Sequence, residues 1–534
     1  MALGIAGTGL GLGLAGCADQ GNQGTGVSSA ATPASAQELQ DGFATDVVPP
    51  AVRPVVIVSG TPYEMGVQYG KACADYIQRN ATAIEASALP IWGSKEAIVE
   101  RLDEFEKIMS EKTPDAVEMW KGIAEGSGVD YDGVRLINLN LPILIMPPEE
   151  GDVAGTQTCS HFSAWGDATA DGKMIAGNNL DQGWNVGACT CVVVGYPKDG
   201  NSFIVCPPWA GQAGGGFALN DKGLGLTGSG GMGSRPEDST FSVDSMAAKF
   251  DIIMHYDNAA DAKDRFLEHM PASAENAQFL DPQQAYIVEY TPAVQAVRQA
   301  GDHGEKDYLI ATNYFIDEKA AEANYKDEWM GGLWDSIPRY QSYEQLIKEN
   351  YGKIDEPYAE EMLGCTKYWD GTQWIADTLQ EEPFEDPKDL WSPEGRSVQY
   401  KTLFSNIMIP DERKVFLMQG QSDDLLSAIP EAPGVFCTIT LEDSPAAVAE
   451  TAYAEAEYRI WLAGKALREQ QEEPTEEERE KLDQARRAIW LGFNDLNVAG
   501  SSDDSTEALS SYGQAVTHFC EAQTFAAQLL KGRE

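Results

Sequence analysis

The sequence predicts an α+β protein in which two antiparallel sheets are covered by helices, with further helical segments at both ends. Three observations favour this class. Apolar residues recur at helical spacing over 60–145, strand pairs joined by turn motifs run from Cys159 to about residue 420, and helix-start signals follow Ser444. Strand hairpins separated by helices are typical of sheets that carry their helices outside.

The N-terminal segment after residue 50 is predicted to be mostly helical. A short β-branched run over 55–59 indicates a strand, and a helix follows it. Ser94 is placed to cap the next helix, in which apolar residues recur every three or four positions. Thr113-Pro114 then starts another helix, because proline is favoured in the first helical turn.

From Cys159 the pattern changes to hairpins. Cys159 opens a strand, Asp171-Gly172 is a strong turn signal, and residues 174–181 form the return strand. The later predicted elements, in chain order, are strands at 191–196 and 202–206, a hairpin over 217–227, helices at 243–254 and 259–269, strands at 285–290, 296–298 and 308–312, a helix after Pro338, and strands at 402–408 and 414–419.

Three helices are predicted to end the chain. Ser444-Pro445 opens the first, which runs to about residue 469. Thr475 and Glu478 have the spacing of a capping box that opens the second, and the last covers 511–530. These helices form a predicted C-terminal appendage.

The charge balance excludes some classes of function. Asp and Glu number 84 and Lys and Arg number 38, which gives a formal net charge of −46. A chain so acidic offers no phosphate-neutralising basic face, so we expect no nucleic-acid partner. Docking on an anionic membrane by charge is excluded for the same reason.

The first residues read as an export signal rather than as part of the fold. Residues 2–16 are apolar and glycine-rich, lack Lys and Arg, and end in Leu14-Ala15-Gly16-Cys17. This ending resembles the lipobox of bacterial lipoproteins, which implies lipidation of Cys17 and a membrane tether on the outer face of the cell envelope. The following residues, to about 50, are rich in Gly, Ser, Ala, Thr and Gln and are predicted to be a flexible linker.

Several familiar catalytic and binding motifs are absent from the sequence. No G-x-S-x-G elbow and no H-E-x-x-H motif occur, and the five histidines are scattered. Gly223 to Gly228 matches G-x-G-x-x-G, but it lies in a hairpin rather than at a helix start, so it does not predict a nucleotide site. We expect no metal and no organic cofactor.

The spacing of the nine cysteines alone predicts neither a metal site nor a set of disulfides. Cys189 and Cys191 are too close together, and too far from any histidine, to predict a metal site. Export would permit disulfides, but the sequence leaves their pairing open. Five further cysteines lie in apolar settings that are typical of small core residues: Cys73, Cys206, Cys365, Cys437 and Cys520.

Cys159 is the candidate nucleophile. A thiol needs a base or a lowered pKa to react, and no histidine partner is evident. If the bond between Thr158 and Cys159 is cut, the freed α-amine has a pKa of about 8, which suits a general base. The thiol itself can make that cut by attacking the Thr158 carbonyl. The alternative is an ordinary buried strand cysteine.

Five segments, in order, carry a resemblance to a known family. The stretch C-S-H-F-S-A-W-G-D-A-T-A-D-G-K-M-I-A-G-N-N-L-D at 159–181 resembles the start of the mature catalytic chain in the penicillin acyltransferase family of N-terminal nucleophile hydrolases. Similar matches are G-T-P-Y-E-M-G-V-Q-Y-G at 60–70, F-A-L-N-D-K-G-L at 217–224, A-T-N-Y-F at 311–315 and S-I-P-R-Y at 336–340. Together they span about residues 55–420.

The resemblance implies roles for four side chains. Cys159 would be the nucleophile, Asp181 would hold its freed amine, and Asn313 would donate to the oxyanion. Arg339 would orient Asp181 or a substrate carboxylate. The alternatives are a turn aspartate, a strand-end asparagine and a surface helix arginine.

Further positions are assigned by the same resemblance. Asn178, Asn179 and Asn220 are candidate substrate-binding residues, although relatives often carry Arg at the first of these. Gly230 falls where bile-salt hydrolases place a second oxyanion asparagine, so a backbone amide would act there. Thr158 stands where glycine is common. Glu289 is expected to be structural.

The resemblance implies a four-layer αββα sandwich that cleaves linear carbon–nitrogen amide bonds through an acyl-Cys159 intermediate, with water or an amine as acceptor. The two fragments would stay associated without a covalent link. The alternatives are a dipeptidase or ester-cleaving lipase of the same superfamily, and a non-enzymatic envelope binding module. The predicted divisions are the export signal 1–17, linker 18–50, helical segment 51–158, catalytic domain 159–440 and helical appendage 441–534.

Overall fold

A computed structural model describes residues 52–139, 158–181, 189–230, 240–322, 333–376, 398, 402–419, 434–470 and 473–531. The predicted export signal, Cys17 and the linker lie outside these residues. The described part is a mixed α+β protein with two large sheets, which confirms the predicted class. None of the helices in these ranges is both long and apolar enough to cross a membrane.

The N-terminal segment forms one strand and five helices. Their bounds are β1 (Val55–Gly60), α1 (Pro62–Ala72), α2 (Ala74–Trp92), α3 (Lys95–Lys112), α4 (Pro114–Ser127) and α5 (Tyr131–Asn138). Thr61 caps α1 in a capping box with Glu64, and Ser94 caps α3 as predicted. Helices α1 and α4 pack so closely that a Cβ at Gly122 would lie 2.1 Å from the Tyr63 carbonyl oxygen.

The first sheet has eight strands in the order β1-β4-β5-β6-β7-β8-β9-β10. Its further strands are β4 (Val192–Pro197), β5 (Phe203–Cys206), β6 (Phe217–Asn220), β7 (Gly225–Gly230), β8 (Glu275–Leu280), β9 (Ala285–Tyr290) and β10 (Gln295–Arg298). The expectation of wholly antiparallel sheets is wrong at one edge, because β1 pairs with β4 in parallel. The N-terminal segment is therefore part of this sheet.

The second sheet has six strands in the order β11-β2-β3-β14-β15-β16. The strands are β2 (Thr158–Ala164), β3 (Ile175–Asp181), β11 (Tyr308–Ala311), β14 (Thr402–Ile409), β15 (Lys414–Gln419) and β16 (Val435–Thr440). A small hairpin of β12 (Lys367–Trp369) and β13 (Trp374–Ala376) stands apart. The predicted β2–β3 hairpin places Cys159 opposite Leu180 and Thr158 opposite Asp181.

Three apolar clusters organise the packing. One contains residues of both sheets, such as Ile57 and Ile287 of the first and Leu309 and Leu417 of the second. Another joins the other face of the first sheet to α1–α5, and to α6 (Ser245–His255) and α7 (Ala259–His269). The third joins the second sheet to α9 (Leu333–Glu349) and α10 (Glu356–Leu363); the short α8 is Glu318–Ala321.

The C-terminal helices are α11 (Pro445–Glu469), α12 (Glu476–Ser501) and α13 (Ser505–Leu530). Helix α13 packs into the core shared by the sheets, where Phe519 and Cys520 are buried. The Thr517 hydroxyl oxygen accepts a hydrogen bond from the Val55 N–H at 2.9 Å. The predicted appendage is thus packed on β1 and β16.

Candidate active site

Cys159 lies near the start of β2 and is 2% exposed. Alternate residues of this strand face opposite ways. Phe162 and Ala164 join the cluster beneath α9 and α10, whereas Ser163 accepts a hydrogen bond from Gln278 of the first sheet at 2.7 Å. The Cys159 side chain therefore shares the face of Ser163 and points towards the first sheet.

Asn313 follows β11 and contacts the backbone of Cys159. Its Oδ1 accepts the Cys159 N–H at 2.9 Å, and its Nδ2 donates to the Gly230 carbonyl at 2.9 Å. The preceding Thr312 is fixed from both sides, because its carbonyl accepts from Ser229 and its hydroxyl donates to the Ser336 carbonyl at 3.0 Å. Asn313 is fully buried, so its amide is held at a defined place beside the nucleophile.

Arg339 of α9 contacts the other side of the same residue. Its Nη1 donates to the Cys159 carbonyl at 2.8 Å, and its Nη2 donates to Asn313 Oδ1 at 2.8 Å and to Ser336 Oγ at 3.1 Å. Its Nη1 lies 3.9 Å from Asp181 Oδ2. The guanidinium is 1% exposed. The Cys159 N–H and carbonyl are thus both held by predicted site residues.

Asp181 ends β3 and is 1% exposed. The Thr402 hydroxyl of β14 donates to Asp181 Oδ1 at 2.5 Å. Thr402 is paired directly with Asp181, and the register of β14 shifts between Thr402 and Phe404. The structure therefore brings together Cys159, Asp181, Asn313 and Arg339, and adds Thr402, which the sequence did not reveal.

Burial dominates the electrostatics of the Cys159 thiol. It raises the pKa of the thiol to about 12, and the negative charge of Asp181 adds to this effect. Backbone hydrogen bonds at Asp181 and Gly230 and the positive charge of Arg339 act in the opposite direction. In the uncut chain the thiol therefore keeps its proton at neutral pH, and only a small fraction of the chains carry the nucleophilic thiolate.

His161 lies two residues further along β2, on the same face as Cys159. It is fully buried, and neither ring nitrogen has a hydrogen-bond partner among the described residues. Burial, together with the charges of Lys249 and Arg298, lowers the pKa of His161 to about 3. The imidazole is thus neutral, and among the described residues it makes no hydrogen bond to Cys159.

Two predicted substrate-binding residues lie on β3. Asn178 Oδ1 accepts from Asn406 at 3.1 Å, and Arg53 donates to Asn406 at 2.8 Å. Arg53 is thus linked to Asn178 through Asn406 by two hydrogen bonds. Asn179 donates to the carbonyls of Leu363 and Val398 at 2.9 and 3.1 Å, so its amide connects β3 to α10.

Asn220 lies at the end of β6, in the first sheet. Its Nδ2 donates to the carbonyls of Ile253 and Tyr256, and its Oδ1 accepts from the N–H groups of Lys222 and Leu224. These bonds stabilise the hairpin turn and the end of α6, and none reaches Cys159. The substrate-binding role of Asn220 stays a prediction from the resemblance.

Comparisons with known proteins give distant similarities. No family model matches the chain. An uncharacterized protein of Archaeoglobus fulgidus is 23% identical over 358 residues, which covers 57% of this chain and 56% of that protein. The chain thus spans just over half the length of this curated relative.

Among solved structures, a mutant of the conjugated bile acid hydrolase from Clostridium perfringens aligns with a TM-score of 0.27 and 10% identity. The alignment covers 49% of this chain and 90% of that one.

Proposed function

We propose that the chain is a self-processing cysteine amidohydrolase of the N-terminal nucleophile type. One observation carries the proposal: both backbone polar groups of Cys159 are hydrogen-bonded by buried side chains, the N–H by Asn313 and the carbonyl by Arg339. An ordinary strand cysteine needs no side-chain partners for its backbone, because strand pairing satisfies the hydrogen bonds of its N–H and carbonyl groups. Here the side chains fix the residue that follows the bond to be cut.

The processing step needs only groups in this chain and water. Cys159 Sγ attacks the Thr158 carbonyl carbon, the C–N bond breaks, and the thiol proton passes to the departing amine. Water then hydrolyses the thioester, which releases the Thr158 carboxylate and restores the thiol. Asn313 Oδ1, which accepts the Cys159 N–H at 2.9 Å, would then hold the new amine in place.

The freed amine supplies the base that the buried thiol requires. An α-amine has a pKa of about 8, whereas the pKa of the thiol in the uncut chain is about 12. During turnover the amine takes the thiol proton as sulfur attacks the substrate carbonyl, and later returns it to the leaving amine. The Asn313 amide and the backbone at Gly230 would stabilise the oxyanion, while Asp181 and Arg339 orient the amine.

The packing is compatible with the αββα sandwich that this function implies. Both sheets contribute to one shared cluster, and each sheet has helices packed on its other face. The proposed domains follow the predicted divisions, with the cut at the start of β2. Export, and a lipid tether at Cys17, are proposed from the sequence. For an exported enzyme we favour water as acyl acceptor.

The test is an intact mass of the wild-type chain beside Cys159→Ala. The wild type should give a fragment that begins at Cys159, and the variant should stay whole. Cys206→Ala is the matched control, because Cys206 is also a buried strand thiol whose pKa is raised to about 12; it should be cut normally. An uncut wild type, or a cut Cys159→Ala chain, would contradict the mechanism.

A substrate panel then separates the reaction classes. The cut wild type is incubated with N-acyl amino acids, dipeptides and phospholipids. The product released from each substrate is compared with the product released by Cys159→Ala. Preferred hydrolysis of N-acyl amino acids would support the amidohydrolase. Preferred hydrolysis of dipeptides or phospholipids would move the assignment to a dipeptidase or a lipase, and no release beyond that of the variant would favour a binding module.

A further inference from the structure

Two buried cysteines from different segments meet beneath the N-terminal helices. Cys73 lies between α1 and α2, and Cys191 directly precedes β4. The Tyr69 hydroxyl, one helical turn before Cys73, accepts a hydrogen bond from Cys191 Sγ at 3.3 Å. Cys73 and Cys191 belong to the same apolar cluster and are in side-chain hydrogen-bond contact. The two thiols are therefore neighbours within the cluster.

A second pair joins the second sheet to the last helix. Cys437 lies in β16 and Cys520 in α13, and both are fully buried. Gln523, one turn after Cys520, accepts from the Thr438 N–H at 2.7 Å and donates to its carbonyl at 3.2 Å. This places Cys520 over Cys437, and their side chains are also in hydrogen-bond contact.

We propose that Cys73–Cys191 and Cys437–Cys520 form disulfides in the exported protein. In both pairs the two buried thiols are neighbours on elements that pack against each other, so only a short approach of the sulfur atoms, to about 2.05 Å, would be needed to form the bond. All eight cysteines of the described chain are thiols in this structure. Each oxidation removes two protons and two electrons, which pass to the disulfide of a host thiol–disulfide oxidoreductase and reduce it to a dithiol.

The first disulfide has a consequence that rests on the proposed function. Cys73 lies before the proposed cut and Cys191 lies after it. Cleavage between Thr158 and Cys159 would then leave the two fragments covalently joined, in place of the non-covalent association expected from the sequence. The second disulfide would attach α13 to β16 within the C-terminal fragment.

The test is differential alkylation of the full chain secreted into an oxidising compartment. The protein is denatured, alkylated, reduced, and alkylated with a second reagent before peptide mapping. Cys73, Cys191, Cys437 and Cys520 should take only the second label, while Cys206 takes the first. First-reagent labelling of all four would overturn the proposal.

Single cysteine variants test which cysteines pair with each other. Cys73→Ser should expose Cys191 alone to the first reagent, with Cys437 and Cys520 still protected. Cys189→Ser is the matched control, because Cys189 is a buried neighbour only two residues from Cys191; it should leave the map unchanged. Protection of Cys191 in Cys73→Ser would contradict the assigned pair.

The experiments distinguish a failure of the proposed function from a failure of the proposed disulfides. On a gel, cut wild type should run as one species without reductant and as two with it. The uncut Cys159→Ala chain should show the same alkylation map as the wild type. An uncut wild type with all four cysteines protected would refute self-processing but not the disulfides, and two species without reductant would refute the Cys73–Cys191 bond.

Discussion

Two buried arginines act on the segment that carries Asn313, and they do so in different ways. Arg298 donates to the Ile310 carbonyl at 2.7 Å, before Asn313. It also pairs with Glu289, whose carboxylate accepts the N–H groups of Ile316 and Asp317 beyond it. Arg339 contacts Asn313 itself. One arginine thus fixes the two ends of the segment, and the other contacts its functional side chain.

The two arginines differ in the groups that they contact. Arg298 Nε lies 2.7 Å from Glu289, and its Nη1 lies 3.2 Å from Glu305, with all three side chains buried. Burial raises the pKa of Glu289, and the charge of Arg298 opposes this. Arg339 instead donates to the Cys159 carbonyl and to Asn313 Oδ1, and its Nη1 lies 3.9 Å from Asp181 Oδ2. Arg298 thus contacts two buried carboxylates and stabilises the fold, whereas Arg339 places its charge beside the Cys159 peptide.

The largest expected effect is on stability, at Arg298. Arg298→Met leaves Glu289 and Glu305 buried without their cation, so the free energy of unfolding should fall by about 3–5 kcal/mol. Denaturant titration of the Cys159→Ala chain, which should stay uncut, measures this without interference from processing. Arg486→Met is the control, because Arg486 and Asp483 form an exposed pair that should contribute less than about 1 kcal/mol. Equal losses in both variants would refute the structural role of the Arg298 group.

The next effect is on catalysis, at Asn313. Asn313→Asp keeps an oxygen that can accept from the Cys159 amine but loses the Nδ2 donor assigned to the oxyanion. The kcat of the processed protein should fall by about 10²–10³-fold, as expected when one oxyanion donor is removed. Asn80→Asp is the matched control, because Asn80 Nδ2 is also buried and donates to two carbonyls, those of Cys189 and Ala210. It should lower stability but leave kcat unchanged, and a retained kcat in Asn313→Asp would remove Asn313 from the oxyanion site.

Local sequence rules could predict the part of this site that lies on β2 and β3. Asp171-Gly172 lies in the connection between β2 and β3, and the pairing of these strands places Thr158 opposite Asp181. Asn313 and Arg339 are far from Cys159 in sequence, and only the motif resemblance pointed to them. Their meeting depends on how β11 and α9 pack on β2, which no local pattern encodes.

Other features escaped prediction for identifiable physical reasons. Strand β8 was missed because polar residues occupy its buried positions: Asn276 donates to the Thr312 carbonyl at 2.8 Å, and Gln278 donates to Ser163. Partners across the sheets satisfy these side chains, so a strand with only three apolar residues among its six, Ala277, Phe279 and Leu280, can be buried on both faces. Such a short run gives a weak strand signal in the sequence. Thr402 was missed because its contact depends on the register of β14, which shifts within the strand.

A smaller effect is expected at Thr402. Thr402→Val keeps the shape of the side chain but removes the hydroxyl that donates to Asp181 Oδ1. A hydrogen bond to a charged group contributes about 1.5–3 kcal/mol, so the kcat of the processed enzyme should fall by at least about tenfold. Thr227→Val is the control, because the buried Thr227 hydroxyl has no partner among the described residues. If both variants keep full activity, the Thr402 contact does not contribute to orienting Asp181.

The last prediction concerns the pH dependence of processing. Because the pKa of Cys159 in the uncut chain is raised to about 12, the thiolate fraction should rise about tenfold per pH unit across the neutral and mildly alkaline range. The same shift favours the folded state below the ordinary thiol pKa, and that contribution is lost as pH rises towards 12. Chain made by cell-free synthesis and followed on a gel should therefore cut faster with each step in pH. Arg339→Gln removes a charge that lowers this pKa, so it should slow the cut at every pH with the same slope. A rate that levels off near pH 7 would instead indicate a separate base, such as a histidine, and would contradict unassisted attack by the Cys159 thiolate.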